Sequence, residues 1–87
     1  MPGISRIGTD TAGGTITSPG FPTVNVNGSI ISILGDSVAP HGDSPHNSAT
    51  MVESSSTVFA GGIGVVRQND SASCGHVATG SPNVFAG

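Results

Sequence analysis

The 87 residues contain no lysine, tryptophan or tyrosine, one cysteine, and seven formally charged side chains. Two arginines against five carboxylates leave no basic footprint of the kind that nucleic acid requires. So little charge also separates the chain from ordinary disordered segments, which stay unfolded through high net charge and low hydrophobicity. The lone Cys74 has no partner for an internal disulfide. No apolar run approaches the roughly 18–20 residues that span a bilayer. The opening "MPGISRIGTD" lacks the basic-then-apolar build of a signal peptide, so synthesis in the cytoplasm without an export leader is expected. Good helix formers are scarce, while fourteen glycines and six prolines are present. That composition reads as turns and strands, an all-β chain with little or no helix. At this length residues 1–87 form one domain, whose core alone is too small to hold it. A staple or a partner is expected.

What the chain does have is repetition. "PTVNVNG" (22–28) returns as "STVFAGG" (56–62) and as "PNVFAG" (82–87). The first two copies run on into apolar stretches, "SIISILGDS" (29–37) and "IGVVRQNDS" (63–71). Each reads as an alternating strand, a two-residue turn and a second strand. Asn27-Gly28 and Gly61-Gly62 suit the type I′ turn, which needs positive φ at both central positions, so both copies are predicted β-hairpins. The third copy has only its first strand, and its second lies at the other end of the chain, where "PGISRIGTD" (2–10) resembles "IISILGD" (30–36) and "GVVRQND" (64–70). A third hairpin assembled from the two termini closes a quasi-threefold object.

The linkers and charges follow the same repeat. Twelve residues separate Asp10 from Pro22 and Asp70 from Pro82, against twenty from Asp36 to Ser56. The middle linker is therefore eight residues longer, and the insertion falls in "HGDSPHNSAT". Arg6 and Arg67 share a column, as do Asp36, Asp70 and, allowing one inserted residue, Asp10. These charges read either as solvated strand ends or Asx-type turns closed by the Asp side chain, or as Arg–Asp pairs between repeats.

All three histidines and the cysteine lie in two loops that each follow the Asp of a repeat: His41 and His46 in one, Cys74 and His76 in the other. Structural zinc sites take four ligands from imidazole nitrogen and thiolate sulfur, and these four supply such a set. A closed metal site contributes on the order of 10 kcal/mol to the folding of a small domain. The repeat places both loops at the same end of the molecule. The competing reading makes the histidines surface loop residues and Cys74 a small buried hydrophobe. "HGDSPH" (41–46) also holds His, Asp and Ser close together, the makings of an activated nucleophile. Residues this near in a short loop rarely reach triad geometry, however, and the chain lacks room for an ordinary substrate pocket. The glycines of "TAGGTI" (11–16) lack the Lys of a phosphate loop and read as turn residues.

The three-hairpin order, "GDS" after the second strand, "TAGGTITSPGFPTVNVNG" (11–28) and "SCGHVATGSPNVFAG" (73–87) together resemble the PAAR-repeat family over essentially the whole chain. The naming Pro-Ala-Ala-Arg stretch is not preserved: its columns read "IISI" (30–33), "GVVR" (64–67) and "GISR" (3–6). The resemblance implies a small cone that caps the trimeric β-helical spike of a type VI secretion system or contractile phage tail, with zinc near its sharp tip. It implies His41, His46, Cys74 and His76 as metal ligands; a thiolate with imidazoles favours zinc over hard-ligand metals, and iron is the second candidate. Many members have a histidine just before the Gly-Gly of the first loop; here that place is Ala12, and the histidine pair of the middle loop is the expected compensation. The implied partner is a trimeric spike of the VgrG or phage central-spike type, met by one copy of a chain that is otherwise a monomer. Three repeats offer one surface to three identical subunits. Contact is expected through backbone pairing and through Val24, Val58, Phe59, Val84 and Phe85, whose alternative is a role in the chain's own core. The tip would touch the target membrane transiently as it is driven through the envelope. Nothing in the 87 residues resembles the toxin domains of some members, so any cargo is expected to bind non-covalently. The rival reading is a free-standing metal-binding or adhesive β module without a spike partner.

Overall fold

Asn27 and Gly28 take φ of 52° and 84°, and Gly61 and Gly62 take 60° and 83°. Positive φ at both central positions is the type I′ turn, whose twist matches that of the strands it joins. In the computed structural model, which describes residues 2–18, 20–44 and 46–86, these turns close the two expected hairpins. Seven short strands are present among the described residues, and no helix: β1 Thr11–Ala12, β2 Gly14–Ser18, β3 Phe21–Val26, β4 Ser29–Ile31, β5 Ser37–Val38, β6 Phe59–Ala60 and β7 Ile63–Gly64. Strand β3 pairs with β4, and β6 with β7, both antiparallel. The third hairpin joins the termini. Gly3 and Phe85 form an antiparallel bridge, the Ile4 amide donates to the Val84 carbonyl at 2.8 Å, and the Ala86 amide donates to the Pro2 carbonyl at 2.9 Å.

The second strands of the three hairpins then bind one another in a ring. Bridges run from Ile4 to Arg67, from Ile31 to Arg6 and from Val65 to Ile33, one relation repeated three times. At its centre the Ser5 amide donates to the Val66 carbonyl at 2.9 Å, Val66 to Ser32 at 2.9 Å, and Ser32 back to Ser5 at 3.0 Å. These three residues are fully buried. A closed cycle satisfies its own donors and acceptors, as buried main chain must. One face of the ring carries the base core of Ile4, Val26, Ile31, Ile33, Ala60, Val65 and Ala86. Each buried Ile or Val there contributes about 1.5–3 kcal/mol of transfer free energy.

The charges close the corners of this ring. Asp10, Asp36 and Asp70 are all buried, so they are not solvated strand ends. Each sits in an Asx-like corner: Oδ2 accepts from the backbone N–H of Arg6, Ile33 and Arg67, respectively, at 2.8 Å. The arginines pair within their own repeats rather than between repeats, Arg6 Nε with Asp10 at 2.7 Å and Arg67 Nη2 with Asp70 at 2.9 Å. Three or four residues of turn bring the partners together locally, leaving no reach across the axis. Hydrogen bonding to the carboxylates raises both guanidinium pKa values above the ordinary arginine value, with burial acting against it. Asp36 has Ile33 in the arginine column and takes neutral donors instead, Ser32 Oγ at 2.9 Å and the Gly20 amide at 2.9 Å.

Beyond the corners each linker folds into a small hairpin of its own, and all three leave the ring on the side away from the base core. The first turns sharply at Gly13, pairing Thr11 with Thr15 and Ala12 with Gly14. The middle one pairs Ser37 with Thr50, and the third Ser71 with Val77. They are laced in a circle by Ile16 with Val38, Met51 with Ala72, and the Thr79 amide with the Thr11 carbonyl at 2.9 Å. Ala12, Ile16, Val38, Ala49, Met51, Val66, Ala72 and Ala78 form a second core beneath them. The whole measures 32 × 24 × 20 Å.

Candidate metal centre

The eight-residue insertion makes its own structure. The His46 amide donates to the Asp43 carbonyl at 2.7 Å and the His41 amide to the His46 carbonyl at 3.0 Å, so the loop 41–46 folds back on itself and turns both imidazoles inward. In the third linker the Gly75 amide donates to the Ala72 carbonyl at 3.0 Å and the Ala72 amide to the His76 carbonyl at 2.8 Å. Gly75, at φ 92°, makes this tight turn possible and leaves Cys74 and His76 flanking it.

The four side chains expected from the sequence therefore meet. Donor atoms of His41, His46, Cys74 and His76 all lie within 4.8 Å of one another. His41 Nε2 is 3.0 Å from His76 Nδ1 and 3.2 Å from His46 Nδ1. Cys74 Sγ is 3.5 Å from His41 Nε2 and 3.6 Å from His76 Nδ1. The three rings surround a common centre with centroids 5.0, 5.0 and 4.9 Å apart. Bond lengths of zinc to imidazole and thiolate imply tetrahedral edges of about 3.3 Å between nitrogens and about 3.5 Å between nitrogen and sulfur. The four separations of 3.0–3.6 Å are close to those edges, while the widest spacing in the cluster, up to 4.8 Å, is longer.

Proton bookkeeping points the same way. His41 Nδ1 lies 2.9 Å from the Ala39 carbonyl, which accepts its N–H and leaves Nε2 as a bare lone pair facing the cluster. Two further imidazole nitrogens and a sulfur crowd that one lone pair. A cation at their centre satisfies all four donors, and the donor set could hold a metal ion.

Gly13, read from sequence as a turn residue, is also the floor of this centre. Its φ is 86°, and a Cβ there would fall among the donors, against His76 Nδ1 and 2.6 Å from His41 Nε2. A Cβ on Gly14 would meet the Ala39 carbonyl and, at 2.9 Å, His41 Nδ1. The only signal for this role was the Gly-Gly pair itself. Ala12, where many PAAR proteins carry histidine, is fully buried in the tip core. With its Nδ1 on Ala39 and its Nε2 in the cluster, His41 has no nitrogen left to activate Ser44 as a nucleophile.

The expected partner contacts divide by strand alternation. Val24, Val58 and Val84 pack half-buried against the base core, whereas Phe59 and Phe85 are 57% and 49% exposed.

A ring of hairpins carrying His/Cys donor loops at one end defines a small all-β protein with a cluster that could hold a metal ion. The PAAR motif matches residues 8–77 and again residues 41–87, and the chain belongs to the PAAR-motif family. Members of this family are structural spike-tip proteins that sit on the spike of secretion machines or phage tails. A search of curated proteins finds no sequence similar to this chain.

Proposed function

We propose that this chain is the metal-stapled tip of a contractile injection machine, capping a trimeric β-helical spike and helping it to pierce the target envelope. The observation that carries the reading is the threefold relation of the base, where three hairpins repeat one backbone pattern around one axis. A single chain that docks on three identical subunits needs such a surface. One copy per trimer follows. The donor set suits zinc, which His41, His46, Cys74 and His76 would hold as a closed four-donor site. Such a site stabilises structure, whereas a catalytic one keeps a position for water. Through these four residues the second linker would be tied to the third at the point where the proposed role concentrates force.

Co-purification with a trimeric β-helical spike tests the reading. One chain per trimer, with one equivalent of zinc by elemental analysis, is the expected result. A chain that carries zinc yet ignores the trimer would belong instead to the free-standing metal-binding modules.

A further inference from the structure

The base is threefold in its backbone and in its valines, but not in the residue that follows each valine. Asn25, Phe59 and Phe85 hold one position in the three hairpins, since they pair with Ile30, Gly64 and Gly3 in the same register. All three are exposed. They lie on first strands that pair on one side only among the described residues. No formal charge occurs in residues 2–5, 21–33, 56–66 or 81–86. A charged partner would lose its hydration against this surface without gaining a counter-charge. An uncharged strand edge, by contrast, completes the open hydrogen bonds. The fitting occupant is thus the uncharged end of a homotrimer that offers one strand edge per subunit.

Resting on the proposed reading of the base, we infer that this grip is unequal. Phe59 and Phe85 supply side-chain contact to two of the subunits. The third subunit, opposite Asn25, is held by main-chain pairing and by Val24 alone. Aromatic side chains dominate both cross-strand pairs and interface energies, whereas an exposed Asn adds little.

Titration calorimetry against a purified trimeric β-helical spike decides this. Phe59→Asn and Phe85→Asn are each expected to weaken binding about tenfold, Asn25→Phe to tighten it by about the same factor, and Asn25→Ser to leave it unchanged. Because the side chains are exposed, parental melting temperatures are the check that the variants fold. Binding of all four variants with the parental affinity overturns the inference and spares the base reading. A parent chain that fails to bind the trimer, or that self-associates through this face instead, overturns both.

Discussion

At the base, three repeats meet through equivalent main-chain hydrogen bonds; at the other end, where main chain also laces the three linkers, the donor cluster is built from side chains that only two of them provide. Ser5, Ser32 and Val66 close the base ring with no regard to side-chain identity, since their amides and carbonyls alone form it. The tip takes His41 and His46 from the second repeat, Cys74 and His76 from the third, and from the first only the space above Gly13. The difference has a numerical cause. Four donors cannot be shared equally among three repeats, so a cluster that could hold a metal ion breaks the threefold relation that the base keeps. The eight extra residues of one linker bring two of the donors, and the glycine at position 13 of another leaves the space they occupy.

The largest effect is expected from removing the metal. Chelation should lower the melting temperature by about 20 °C, because a structural ion contributes several kcal/mol to so small a domain. Hydrogen exchange sharpens the contrast: the amides of His41, His46, Ala72 and Gly75 should lose protection, while those of Ser5, Ser32 and Val66 keep it. Equal loss in both regions would mean that base and tip are one unit. Gly13→Ala, whose methyl enters the donor cluster, should reproduce the chelated melt and bind no metal.

Val65→Ala tests the other region. Val65 is fully buried in the base core, and the cavity should cost about 2 kcal/mol, or roughly 10 °C in melting temperature. Metal content should stay at one equivalent, and a substoichiometric value would show that the tip depends on the packing of the base.

The smallest effect is on acid stability. The Ser71 amide donates to Glu53 Oε1 at 2.8 Å, and hydrogen bonding from Ser71 holds this carboxylate below the ordinary glutamate value. A depressed folded-state pKa gives stability that is present above the ordinary range and lost as pH falls through the folded value. Acid denaturation of Glu53→Gln should lack that component and otherwise superimpose on the parent curve.

Much of this architecture was legible because it is written in local turn chemistry. Asn27-Gly28 and Gly61-Gly62 announce their hairpins, and the unfinished "PNVFAG" announces a strand exchange between the termini. The four metal donors were legible as a set because the repeat fixes which loops share an end. The direction of the Arg–Asp pairs was not, since column equivalence says that Arg6 and Arg67 are alike without saying which carboxylate each meets; the turn geometry decides that. Alternation showed that one face of "TVFAGG" is buried, but only the register of β6 against β7 puts Val58 inward and Phe59 outward. Gly13 was half legible, as a turn, because the histidines that need its missing side chain come from distant linkers.

The pairing of Gly3 with Phe85 has a consequence for biosynthesis. Residues 2–4 are made before the other strands of the ring but find their own hairpin partner last, after 84–86 have emerged. Until then the ring of second strands can close through Ser5, Ser32 and Val66, but residues 2–4 lack the strand that completes their hairpin. Contacts of such long sequence separation slow folding. The third hairpin is therefore expected to form only after residue 86 has been translated, and a product truncated before that point would lack it.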